Sequence, residues 1–433
     1  MTSSTPQHPS RRTMSRTSTW LAVAAATSLT LSACGGQSTS QSSQDGIKTG
    51  AGFDGKTITI GILNPTSGPI GAGAGLPVLE GLQYRIDRVN AAGGIAGKYK
   101  VKLKVTDTKY DPETALKAYN GMAGDVAMIG SVLGTGVVQA MIPKLAADDI
   151  LAIPTTDDAA FVDEPNLLPT RPTYQASFIN GLSHLSGEPG GKDLTYCTLR
   201  QDDASGEAYK AGIDFGAKEL GITIAEDVSF PTDTTDFTAQ VQRLKRANCD
   251  VVSWAAAASF AQGVISSSVQ LDFAPKWLSL ASGVPLFLMG SPSQDYIAAN
   301  FLVSTPGAQW GDESVEGMKQ LVADFKEFGK ADEKPDAALW PVGYDYGIAI
   351  TTLLEKAVDE GEVSPAKILE ISQSPDLSID FLGLTPTFTY GPPADRTPPT
   401  AVSIFSIDPN TVGFLKTVAA DVDSDAAKKF GTK

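Results

Sequence analysis

Two short stretches carry the backbone and side chains best suited to gripping a small polar molecule. In residues 64–75, Gly68, Gly71, Gly73 and Gly75 stand just before a helical segment, with Ser67 at their head. Glycines in such a loop let backbone N–H groups approach an anion at the positive end of a helix. A dinucleotide fingerprint would need one more glycine where Leu76 stands, and a tight surface turn would use the same residues. In residues 154–158, Thr155 and Thr156 can donate hydrogen bonds to a carboxylate. Asp157 or Asp158 beside them can pair with an ammonium or can cap a turn.

Other chemistries are poorly supplied. Of the two histidines, His8 and His184, only the second lies in the body of the chain, which excludes a poly-His metal site. A Ser-His-Asp hydrolase would depend on His184, which sits in a helix-like Leu-Ser-His-Leu-Ser run, and no Gly-x-Ser-x-Gly elbow occurs at a strand–helix turn. No enzyme activity, cofactor or metal is expected. The net charge of −15 repels phosphate backbones, so no nucleic-acid partner is expected either.

The elements that must position these loops follow from hydrophobic periodicity. The chain of 433 residues, 42% hydrophobic, is long enough for two or three domains with sizeable cores. Residues 57–63 read as a strand. Val78, Leu79, Leu82, Ile86 and Val89 recur with helical period and stop at Gly93-Gly94; Val101, Leu103 and Val105 alternate as an edge strand. Asp111-Pro112-Glu113 starts a helix. Strands at 126–129 and 150–153 flank a helix carrying Val137, Val138, Met141, Ile142 and Leu145. After an irregular stretch, 157–172, the alternation restarts. Strands are expected at 194–199, 222–224, 251–254, 277–280 and 301–304, and helices at 206–220, near Val241 and near Val264. A long helix with Val315, Met318, Leu321 and Phe325 follows, then helices at 344–358 and 365–372. Short strands at 387–389 and 401–407 precede a frayed C-terminus, 418–433. Repeated strand–helix alternation means right-handed crossovers and two α/β units with doubly wound parallel sheets. In such sheets ligands bind outside the carboxyl ends of the strands, here residues 64–75, 130–136 and 154–158.

The first 33 residues read as an export signal. Arg11, Arg12 and Arg16 form a basic region, residues 20–31 an uncharged apolar run, and Leu31-Ser32-Ala33-Cys34 resembles a bacterial lipobox in which Cys34 takes a diacylglycerol. Twelve residues are too few to span a ~30 Å hydrocarbon core as a helix. The arginine pair is also similar to a twin-arginine signal, so the export route stays open. Residues 34–55 read as a flexible Gly/Ser/Gln tether between lipid and folded body. With Cys34 lipidated, Cys197 and Cys249 remain; they can form a disulfide in an oxidising compartment or stay as two buried thiols.

The order of motifs resembles the extracytoplasmic solute-binding proteins of branched-chain amino acid ABC transporters, the leucine/isoleucine/valine-binding proteins of type I periplasmic-binding fold. The similarity covers most of residues 56–410. It is carried by Pro65-Thr-Ser67-Gly68-Pro69, Glu80-Gly81, the run from Asn90 to Lys98, Asp107 with Asp111-Pro112, and Ile129-Gly130 with Thr135-Gly136. Arg171, Asp202-Asp203-Ala-Ser-Gly206, Thr234-Thr235-Asp236-Phe237, Cys249-Asp250 and Phe388-Thr389-Tyr390-Gly391 extend it. The resemblance implies two interleaved lobes, 57–172 plus 305–395 and 173–304 plus 396–417. Three hinge crossovers would fall near Arg171, 301–305 and 398–401. It implies a monomer that hands a small ligand to an ABC permease and its ATPase, touching the membrane only through the N-terminal lipid.

In that family the ligand's carboxylate and amino group are held by hydroxyls and backbone amides of two lobe-one loops. Thr135 stands at the first loop, with Gly134 as the alternative, and Thr155, Thr156 and Asp157 stand at the second. Ser205 replaces a lobe-two aromatic, Ser282 lies where an acid meets the amino group, and 255–258 lacks a tyrosine. The resemblance therefore points to the transporter class more than to an α-amino acid. Trp254, Tyr174 and Trp340 are the candidates for a replacement stacking surface. A ligand sensor without transport would use the same fold; a neighbouring permease gene would separate the two.

Overall fold

A computed structural model describes residues 42–43, 45–331 and 334–431. The export signal and Cys34 lie outside the described residues. In chain order, β1 (Lys48–Thr49) is followed by β2 (Thr57–Asn64), a one-turn α1 (Gly68–Ile70), α2 (Leu76–Ala91), β3 (Lys100–Asp107), α3 (Pro112–Asn120), β4 (Ile129–Leu133), α4 (Thr135–Ala147) and β5 (Ala152–Thr155). The four longer strands form a parallel sheet in the order β3-β2-β4-β5. Ile58, Ile60 and Ile62 of β2 are buried with Val78, Leu82 and Ile86 of α2, whereas Leu63 is buried in a second cluster with Tyr119, Val138 and Met141 of α3 and α4. Period-two alternation thus buries both faces of one strand.

The chain then enters the second sheet through α5 (Tyr174–Gly187), β6 (Tyr196–Gln201), α6 (Ala204–Leu220), β7 (Ile224–Phe230), α7 (Thr238–Arg246), β8 (Val251–Ala255), α8 (Ala261–Gln270), β9 (Lys276–Ser279), α9 (Gln294–Asn300) and β10 (Phe301–Thr305). It returns to the first lobe for α10 (Glu316–Phe328), α11 (Trp340–Asp359), the two-residue β11 (Glu362–Val363) and α12 (Pro365–Ser372). It ends on the second with β12 (Val402–Ile407), β13 (Leu415–Val422) and α13 (Asp425–Lys429). The second sheet runs β13-β12-β10-β9-β8-β6-β7, parallel from β10 to β7, with β12 and β13 added antiparallel. Helix α11 packs against α2 through two glycines. A Cβ at Gly81 would lie 2.1 Å from the Trp340 carbonyl oxygen, and one at Gly343 1.9 Å from that of Val78. The helix backbones touch there, so no side chain fits. Cys197 and Cys249 are joined in a disulfide.

Several expectations change. Residues 418–433 are not all frayed: β13 pairs with β12, Ser424 caps α13, and Ala426 and Ala427 are buried against α5. Residues 45–55, expected within the tether, are part of the fold. β1 pairs with β11, Lys48 meets Glu362 at 2.9 Å, and the Phe53 ring packs edge-on against Tyr99 at 5.1 Å. The strand expected at 222–224 starts at Ile224 instead, because Gly221 ends α6 in a left-handed cap. The strand expected at 387–389 is a single bridge, Thr389 to Thr397.

Candidate functional site

The carboxyl ends of both sheets face one another across a cavity of about 80 Å³. Lobe one supplies Leu133, Gly134 and Thr135 from the β4–α4 turn, and Thr155 and Asp157 from the end of β5. Lobe two supplies Gln201 and Ser205 around the start of α6, and Ser282 after β9. Ile70, Ala74, Val78, Leu339 and Val342, from the α1–α2 segment and the entry to α11, form an apolar wall. Tyr110, Tyr174, Tyr209 and Tyr346 line the space as well.

Hydroxyls connect the lobes. The Ser205 hydroxyl lies 3.0 Å from that of Thr135, which in turn lies 2.7 Å from the Thr156 hydroxyl. Ser131 links Thr155 at 2.5 Å to Asn64 at 2.7 Å, fixing the end of β5 to the end of β2. The first turn of α4 has no side-chain cap, since its N-cap is Gly134 at φ +113°. No side chain therefore caps the N–H groups of its first turn, and Gly134 and Thr135 at that end line the cavity. Helix α6 differs: Asp203 accepts from the Gly206 N–H at 2.9 Å and fills its end.

Charge is concentrated at the crossovers. Arg171, buried in the first, donates to Asp345 of α11 at 2.8 Å and to Thr305, at the second, at 3.3 Å. Its Nε has no hydrogen-bond acceptor among the described residues and faces Asp157 Oδ2 at 3.8 Å. Burial pushes the Asp157 carboxyl up to about 6, against the opposing pull of Arg171. Its side chain keeps 23% of its surface, open to the cavity. Asp345 is likewise pushed up to about 6 by burial, with Arg171 and Thr385 opposing. Just before the third crossover Arg396 donates to the carbonyls of Val162, Glu164 and Leu167.

The structure brings together Gly134, Thr135, Thr155, Asp157, Ser205 and Ser282 from the sequence-based set. Thr156, expected beside them, does not line the cavity; it is buried with its hydroxyl 2.7 Å from that of Thr135. Three further expectations do not hold. Ser67 and Gly68 do not line the cavity: the Ser67 hydroxyl turns to Asp107 at 2.5 Å, and the following helical turns present Ile70 and Ala74 instead. Trp254 is core, stacked on Phe230 with its Nε1 donating to the Gly283 carbonyl at 3.0 Å. Trp340 is core too, donating to Glu80, whereas Tyr174 does reach the cavity. Asp158 caps the short turn that follows it and accepts from Gln175. His184 sits on α5, 4.0 Å from Glu188, and is not among the cavity-lining residues.

Sequence reasoning missed Tyr110 and Tyr209. Tyr209 follows Ser205 by four residues, about one turn of α6, a spacing that puts both on the cavity side of the helix. Tyr110 directly precedes the Asp111-Pro112 helix start, at the carboxyl end of β3, where ligand loops are expected.

Among solved structures, a fatty acid ABC transporter substrate-binding protein from Thermomonospora curvata superposes with a TM-score of 0.81 at 22% identity, covering 90% of this chain and 98% of its own. A branched chain amino acid ABC transporter protein from Thermus thermophilus with bound valine gives 0.73 at 14% identity, covering 88% and 99%. Both likenesses establish the fold. Leu/Ile/Val-binding protein homolog 3 of Brucella melitensis is 28% identical over 213 residues, 45% of this chain and 53% of its own length. The match thus spans about half of that curated relative. A family model described as periplasmic binding protein matches residues 57–411, and the chain belongs to that family.

Proposed function

We propose that this protein is the extracytoplasmic receptor of an ABC importer. It would capture a small ligand between two lobes and deliver it to a membrane permease, moored by a lipid on Cys34. The ligand is an amino acid or a related carboxylate or amide, with one hydrogen-bonding end and a short apolar body. The observation that carries this reading is the cavity itself: the uncapped start of α4 and the hydroxyl residues Thr135, Thr155 and Ser205 line it together with the apolar Ile70, Val78 and Leu339. A carboxylate fits the helix end, and Asp157 would take an ammonium. Family membership and the relatives' names support the transporter class and an extracytoplasmic location.

A second reading, a simple monocarboxylate, draws on the fatty acid named for the Thermomonospora protein and on the wall's apolar character. A thermal-shift screen of amino acids, carboxylates and amides tests both. Ligand at 100 times its dissociation constant adds about 2.7 kcal/mol of stability. Stabilisation by amino acids supports the first reading, stabilisation by carboxylates alone the second, and silence with every compound refutes both. Radiolabelled palmitate incorporation, abolished by Cys34→Ala, tests the anchor; label retained in that variant or absent from the parent refutes it.

A further inference from the structure

Tyr110 belongs to lobe one by sequence and to lobe two by its hydrogen bonds. Its backbone lies at φ +61°, next to Lys109 at φ +54°, a left-handed region that bulky residues avoid unless their surroundings hold them there. The surroundings do hold it. Asp107 accepts from the Lys109 N–H at 2.9 Å and from the Thr66 N–H at 2.9 Å, so one carboxylate shapes both neighbouring loops. The Tyr110 ring lies over Gly134, where a Cβ would come within 2.8 Å of it. Its hydroxyl reaches Ser205 at 3.2 Å and Asp203 at 3.4 Å, both in lobe two. Asp203 is held in turn by Gln201 at 2.8 Å. Nearby, Gly73 approaches Ser259 of lobe two, a Cβ there lying 3.4 Å from the Ser259 nitrogen.

We infer that Tyr110 is a specificity-determining gate: its ring lines the cavity against Gly134 and its hydroxyl latches the lobes, so together they set how long an apolar body the closed cleft accepts. The geometry separates the two roles, because the ring meets Gly134 within lobe one while the hydroxyl meets Asp203 and Ser205 across the cleft. This inference rests on the receptor reading for its ligand class, but the latch is measurable without any ligand.

The test uses straight-chain carboxylates and the corresponding α-amino acids, each series growing by one methylene, in calorimetric titrations of the parent protein, Tyr110→Phe and Tyr110→Ala. The parent should show a length cut-off. Tyr110→Ala should move it to longer members, whereas Tyr110→Phe should keep it and weaken every binder by about 5-fold through lost hydrogen bonds. An unchanged cut-off in Tyr110→Ala overturns the gate. Small-angle X-ray scattering of the unliganded proteins provides the second arm: both variants should be more open than the parent, and superimposable profiles overturn the latch. A parent that binds no member counts against the ligand class proposed above, and scattering then decides Tyr110 alone.

Discussion

Arg171 and Asp345 form a buried ion pair at 2.8 Å that joins the first crossover to helix α11. Arg171 also reaches Thr305 at the second crossover and faces Asp157 in the cavity. One guanidinium therefore touches two connections between the lobes and faces a carboxyl group that lines the ligand space.

Asp345→Ala would leave that guanidinium buried without its strongest partner. Removing one member of such a pair costs about 3–5 kcal/mol. Urea denaturation should show a loss of that size, and a loss under about 1 kcal/mol would mean that Thr305 and Thr385 hold Arg171 without the ion pair.

Asp157 makes stability and binding depend on pH in calculable directions. Its folded pKa, about 6, lies above the ordinary 3.8, so the fold binds more protons there than the unfolded chain between those values. The share of stability from Asp157 should thus fall as pH rises from about 4 to about 6, and Asp157→Asn should reduce that slope, leaving the part that Asp345 contributes in the same direction. For a ligand bearing an ammonium, affinity should rise as pH climbs through about 6. For a simple carboxylate it should fall, because Asp157 then repels the anion. Midpoints of urea curves and titrations at pH 5 and 8 check both; a slope as steep in Asp157→Asn as in the parent assigns the effect to another group.

Trp254 and Thr135 should separate packing from binding. Trp254→Ala empties a core site between Phe230 and Trp277 and should cost about 3–5 kcal/mol in stability. Thr135→Ala should cost about 1 kcal/mol in stability and weaken ligand binding. Melting curves and titrations on both variants check this; equal effects of the two on affinity would place Thr135 outside the ligand contacts.

Much of this architecture was legible in the sequence, and the exceptions have physical reasons. The strand–helix alternation located the loops at the ends of β4 and β5, because parallel sheets confine ligand loops to one edge. The Ser67–Gly68 segment misled because its polarity suits a ligand as well as it suits Asp107, and Asp107 lies 40 residues away. Trp254 misled because a residue at the end of a strand can turn inward or toward the cleft, and only packing against Phe230 decides. Residues 418–433 looked too small and charged to order, yet Asn180 of α5 anchors them by accepting from the Ser424 N–H at 2.8 Å. Tyr110 was signalled only by its place at the carboxyl end of β3, because its left-handed backbone and its reach to Asp203 and Ser205 depend on the folded loop.

The disulfide should contribute as a cross-link of the unfolded chain. Cys197 and Cys249 are 52 residues apart, and closing a loop of that size is worth about 2–4 kcal/mol. Ellman titration of the denatured protein should find both sulfurs blocked until a reductant is added, and reduction should lower the urea midpoint. Two free thiols before reduction would contradict the bond.

The cleft is most directly tested by isothermal titration calorimetry of the purified protein with amino acids, short carboxylates and amides. The expected result is one binding site per chain for one of these classes, weakened at least about 10-fold when Thr135→Ala and Ser282→Ala are combined. Undiminished binding in that double variant, or no heat from any compound, would contradict a ligand held between the two lobes.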